Sequence, residues 1–133
     1  MKKNILLSFL LLFTVCVAVL AQGDYSVFKW TKGTTHDFGT IEQNKPVTAN
    51  FKFTNESNIP MIISNARGSC GCTGVKFPTE PIAPGEASEI SATFNAAAVG
   101  DFHKTVTVNA NTADGSTTLI IKGKVAASGG GGE

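Results

Sequence analysis

Apolar residues recur at every second position along most of this chain, and that period confines it to strands. Val47, Ala49, Phe51 and Phe53 alternate with Thr48, Asn50, Lys52 and Thr54. Ser88, Ile90, Ala92 and Phe94 alternate with Glu89, Ser91 and Thr93. Leu119, Ile121, Gly123 and Val125 share one side of the last segment, and Phe102 to Val108 is a β-rich run of looser alternation. Successive side chains of an extended strand point to opposite faces, so each segment has one side for a core and one for water. No stretch after Ala21 repeats at the helical period.

Turn chemistry punctuates these runs. Asn55-Glu56-Ser57-Asn58 interrupts the chain before Pro60-Met61-Ile62-Ile63. Ala83-Pro84-Gly85-Glu86 suits a type II turn, with Pro setting one φ and Gly accepting a positive one. Ala98 to Asp101 marks another reversal, and Asn111 to Gly115 ends in Asp-Gly, a hairpin signal. The spacing predicts about seven strands: near Tyr25–Trp30, Asp37–Ile41, Val47–Asn55, Met61–Ala66, Ala87–Phe94, Phe102–Asn109 and Thr117–Val125, with a further short one near Cys72–Phe77. One sheet cannot cover its own apolar face, so the expectation is an all-β, immunoglobulin-like antiparallel sandwich. Phe28, Trp30, Phe38, Phe51, Phe53, Phe94 and Phe102 are expected in or beside its core. An antibody-type domain sets a Trp between two distant cysteines. Here Trp30 precedes Cys70 and Cys72, so an inter-sheet disulfide is not expected.

The start of the chain reads as an address. Lys2 and Lys3 precede an uncharged run from Ile5 to Ala21, the order of a secretory signal, with cleavage between Ala21 and Gln22. An uncleaved membrane anchor is the alternative, though such a span takes about 20 apolar residues. A lipoprotein would need a small residue before its cysteine, and Cys16 follows Val15. The organisation expected is a signal peptide at 1–21, a sandwich domain at 22–127 and a flexible glycine-rich tail at 128–133. Cleavage removes two lysines from a balance of 11 basic and 10 acidic residues. What remains is near neutral with scattered lysines, which argues against nucleic acid and anionic membranes as partners.

One ordered set of segments carries a resemblance. It runs His36-Asp37-Phe38-Gly39-Thr40-Ile41, Phe51-Lys52-Phe53-Thr54-Asn55, Ser69-Cys70-Gly71-Cys72-Thr73 and Pro81-Ile82-Ala83-Pro84-Gly85. It continues with Gly100-Asp101-Phe102-His103-Lys104-Thr105-Val106 and Leu119-Ile120-Ile121-Lys122-Gly123-Lys124-Val125. From Thr35 to Val125 the chain resembles the bacterial domain-of-unknown-function family DUF1573, the Ser-Cys-Gly-Cys-Thr segment being the most specific part. The resemblance implies an immunoglobulin-like sandwich of the hydin and major sperm protein type, usually exported, and it assigns no catalytic residue.

Cys70 and Cys72 hold the unusual chemistry. On a strand, residues i and i+2 lie about 6.6 Å apart, near the upper limit of about 6.8 Å that a disulfide spans. Gly71 lets the backbone bend closer. Closing so small a loop constrains the unfolded chain by only about 1.6 kcal/mol, so a bond there is expected to be labile and a poor staple. Three readings stand side by side: two small apolar side chains packed under a turn, thiol redox chemistry, or a soft-metal site for Cu(I) or zinc. For redox chemistry, Arg67 and Lys76 are candidate thiolate stabilisers. For a metal, Cys70 and Cys72 supply two ligands, with His36, His103 and Met61 as spares. No Gly-x-Ser-x-Gly elbow or phosphate loop is present. The expected function is therefore an exported, non-enzymatic interaction module without a cofactor, binding another envelope or extracellular protein. The rival is a thiol-redox or soft-metal handling protein. The Asn55-Glu56-Ser57 sequon is read as chance.

Overall fold

The computed structural model describes residues 24–127. The signal segment 1–21, its cleavage point at Ala21 and Gln22, and the tail 128–133 lie outside the described residues. Eight strands follow one another: β1 (Phe28–Trp30), β2 (Thr35–Glu42), β3 (Val47–Asn55), β4 (Ile63–Gly68), β5 (Thr73–Lys76), β6 (Ala87–Phe94), β7 (Gly100–Ala110) and β8 (Ser116–Ala126). They form two four-stranded sheets, in the orders β1-β3-β6-β5 and β2-β8-β7-β4. In immunoglobulin lettering the first sheet is A-B-E-D and β8-β7-β4 is G-F-C, so the sandwich is of the expected kind.

The alternating residues meet between the sheets. Phe51, Phe53, Ile90, Ala92 and Phe94 from the first sheet are buried in one cluster with Val106, Val108, Leu119, Ile121 and Val125 from the second. Phe94 of β6 and Phe102 of β7 stack across the interface with ring centroids 4.2 Å apart. Phe28 and Trp30 stack on each other at 4.7 Å and turn their edges to Phe53. The turns close as their residues require. Gly85 sits at φ +78° with the Glu86 amide donating to the Ala83 carbonyl at 3.0 Å, and Gly115 at φ +77° closes the β7–β8 hairpin.

The sandwich departs from a purely antiparallel one at β2. This strand pairs with β8 in parallel, from Thr35 opposite Ile120 to Glu42 opposite Ala126. Alternation tells which side of a strand is buried but not which way its neighbour runs, so the sequence is silent on this pair. The register shifts between Asp37 and Thr40, where Gly39 takes φ +67° and its amide is held by the Asp37 carboxylate at 2.8 Å. The bulge brings the Gly39 carbonyl onto β8. A Cβ at Gly123 would lie 2.7 Å from that oxygen and 2.9 Å from the Phe102 ring.

Two asparagines close the gaps between strands. Asn55 is fully buried, and its side-chain amide donates to the carbonyls of Ile59 at 2.8 Å and Ile82 at 2.9 Å. Its side-chain oxygen accepts from the Ser57 amide and hydroxyl. The sequon asparagine is thus an internal tie. Asn111 binds Ser26, the Ile62 amide and the Pro60 carbonyl. Among the described residues every buried side-chain nitrogen and oxygen has a partner.

Two substitutions test these joints. Gly123→Ala forces a methyl into backbone and should cost about 1–3 kcal/mol in urea unfolding. Asn55→Ala removes a buried amide that donates to the Ile59 and Ile82 carbonyls and accepts from Ser57, and should cost roughly 1–3 kcal/mol by the same measurement; an effect under half a kcal/mol for either would discard the corresponding joint.

Candidate functional site

The chain leaves β4 at one edge of the second sheet and enters β5 at the edge of the first, so the segment Ser69–Cys72 spans the two sheets. Backbone bonds pin this turn at both ends. The Ser69 amide donates to the Thr105 carbonyl on β7 at 2.8 Å, and the Ser69 hydroxyl accepts from the Thr105 amide at 3.2 Å. The Asn95 amide, just past β6, donates to the Cys72 carbonyl at 3.0 Å, and the Thr73 amide closes the turn on the Cys70 carbonyl at 3.3 Å. The crossing is close: a Cβ at Gly68 would fall 2.9 Å from the Thr73 Cβ.

Cys70 and Cys72 are disulfide-bonded, with Cα atoms 5.3 Å apart. Gly71 between them is exposed, and nothing lies within 4 Å of the place a side chain would take. Both cysteines are half-buried, but they face differently. Cys72 packs against the core, whereas Cys70 lines an open hollow with Arg67, Ser69 and Thr73. Thr73 is nearly buried, and its hydroxyl stands 3.9 Å from each of the two sulfurs. Sequence reasoning had no role for Thr73. Its position directly after Cys72 was visible, but only the turn folds its hydroxyl back onto both sulfurs.

The other candidates do not gather here. Arg67 shares the hollow with Cys70, while Lys76 at the far end of β5 is not among its lining residues. His36 is exposed on β2, at the opposite edge of the sheet from β4, and lies edge-on to Phe38 at 4.5 Å. His103 is exposed on β7 opposite Lys122. Met61 is wholly buried before β4, whose six residues, roughly 20 Å of strand, separate it from the cysteines. Among the described residues no group of three or more His, Cys, Asp or Glu side chains is placed to hold a metal. The soft-metal set built on His36, His103 and Met61 is therefore not assembled, and sulfurs bonded to each other offer no thiolate ligands.

A family model described as "Protein of unknown function (DUF1573)" matches residues 28–125. No curated protein matches the chain. Among solved structures, a protein of unknown function from Porphyromonas gingivalis W83 superposes with a TM-score of 0.66 at 11% identity, over 78% of this chain and 50% of that one. The ASH/PapD-like domain 7 of human CEP192 gives 0.63 at 10% identity, covering 81% and 91%. The secreted serine protease VesC of Vibrio cholerae gives 0.55 at 12%, covering 76% and 23%. The chain thus spans about half of the Porphyromonas protein and under a quarter of VesC. At such identities the likeness establishes the fold alone.

The turn is tied by its backbone, so the disulfide has little left to hold. Reduction with the protein native should lower the unfolding free energy by no more than about 1.6 kcal/mol. Urea unfolding with and without reductant checks this, and loss of cooperative unfolding on reduction would show the bond to be the staple of the domain.

Proposed function

We propose that this chain, which belongs to the DUF1573 family, works as an exported interaction module of the cell envelope, periplasmic or extracellular, that captures an extended segment of another protein. The observation that carries the reading is β2. It is an eight-residue edge strand, bonded to β8 on one side, with Phe38 and Ile41 partly buried and its other side chains exposed. The unpaired backbone groups of such an edge are a template for a partner's strand. The other edges are shorter, with three residues in β1, four in β5 and six in β4. The bulge at Gly39 and the charges of Asp37 and Glu42 break the edge into a pattern that a matching partner can read, and they discourage indiscriminate pairing. Docking of this kind requires no catalytic step.

Export is supported by the basic start and the uncharged run from Ile5 to Ala21. No helix among the described residues is long and apolar enough to cross a membrane.

A photo-crosslinking side chain at Thr40 on β2 should capture a discrete partner from an envelope extract. The same group at Lys52, on the exposed face of β3, should capture little. Equal capture from both positions, or none from Thr40, sinks the reading.

A further inference from the structure

We propose that Cys70–Cys72 is a thiol–disulfide exchange site that accepts electrons from dithiols. The site is remote from β2 and needs no docked partner. Four observations carry it. The bond closes a three-residue loop, and the turn around it is already fixed by backbone bonds to β7 and to the segment after β6. Opening the bond therefore leaves the two sheets joined. The bond is accessible, because Gly71 projects nothing over it and Cys70 lines an open hollow. Arg67 stands in the same hollow, where its charge favours an approaching thiolate. Thr73 places one hydroxyl 3.9 Å from both sulfurs, so whichever sulfur leaves as a thiolate has a donor beside it.

The asymmetry of the pair sets the order of events. A substrate thiolate enters through the hollow and attacks the Cys70 sulfur, forming a mixed disulfide. The Cys70–Cys72 bond breaks, and Cys72 leaves as the thiolate, taking up the Thr73 hydroxyl. The substrate's second thiolate then attacks its own sulfur in the mixed disulfide and releases the Cys70 thiolate. The substrate has lost two electrons and two protons and gained an internal disulfide. The two cysteines have gained the two electrons and the two protons. A small-molecule disulfide of the glutathione class reoxidises them by the same exchange in reverse, which permits turnover.

The test uses the purified protein with a flexible peptide carrying two cysteines as the dithiol and oxidised glutathione as the oxidant. Peptide oxidation is followed by alkylation and mass. The wild-type protein should speed oxidation well above the rate without protein, and the Cys72→Ser variant, first charged on Cys70 by oxidised glutathione, should hold a peptide with a single cysteine as a mixed disulfide, because neither Cys72 nor a second peptide thiol is there to release it. Thr73→Val should slow exchange by about tenfold, the worth of one hydrogen bond to a charged group, with an unchanged unfolding midpoint. Thr73→Ser should restore the rate. The proposal is overturned if the Cys70→Ser/Cys72→Ser protein, folded by its unfolding curve, matches the wild-type rate. It is equally overturned if the sulfurs react only in denaturant, which would return the pair to a buried structural role.

Discussion

The inner faces of the two sheets hold each other in place. Each sheet carries its large apolar residues on one side, and neither can expose that side to water at tolerable cost. The burial of Phe53, Ile90, Val106, Leu119 and Ile121 in one cluster fixes which way β3, β6, β7 and β8 face. A slip by one residue would turn a whole set outward. The Phe94–Phe102 stack adds directional contact between the sheets where the hydrophobic effect alone has none. Once that interface is set, the outer faces, edges and turns are free to carry other chemistry.

The connections between strands must then satisfy their own polar groups. The chain does this in part with two asparagines. Asn55 ties Ile59 and Ile82, and Asn111 ties Pro60, Ile62 and Ser26. Burying an amide is unfavourable unless its hydrogen bonds are replaced, and here they are. The same backbone economy governs the Cys70 turn. The Ser69 amide and the Cys72 carbonyl join the turn to β7 and to Asn95 beyond β6, and neither tie runs through the sulfurs.

The fold was legible because alternation is a local signal with a global consequence. Val47 to Phe53 and Ser88 to Phe94 pair along their full lengths, Val47 with Phe94 and Thr54 with Ala87, as their matched patterns require. The short β5 was visible as a weak run after Cys72. The parallel run of β2 beside β8 was not, because direction is set by how the chain passes from one sheet to the other at Thr31–Thr34. The first strand shrank to Phe28–Trp30, with Ser26 making only a lone bridge to Thr112. At the candidate site, sequence spacing gave the feasibility of the Cys70–Cys72 bond. It did not give Thr73 or the different surroundings of the two sulfurs, because those arise from a crossing between β4 and β5 that juxtaposes two sheets. It also offered His36, His103 and Met61 as ligands, and only the strand order shows them scattered over an edge, a face and the core.

The two proposed sites are separated by the sheet itself. β2 and β4 are the opposite edges of β2-β8-β7-β4, three strand spacings or roughly 14 Å apart, and the cysteines lie beyond the end of β4. A partner strand added to β2 extends the sheet away from the hollow beside Cys70, so docking leaves the disulfide open to solvent. Opening the disulfide, in turn, changes a turn whose backbone bonds run to β7 and to Asn95, and none of these reaches β2. Coupling between distant sites needs an element with two arrangements that both sites bias. The packed interface between them, with Val106, Leu119 and Ile121 wholly buried, offers a single arrangement. The two proposed activities are therefore independent on one scaffold: a strand held at β2 would neither close the hollow nor change the turn.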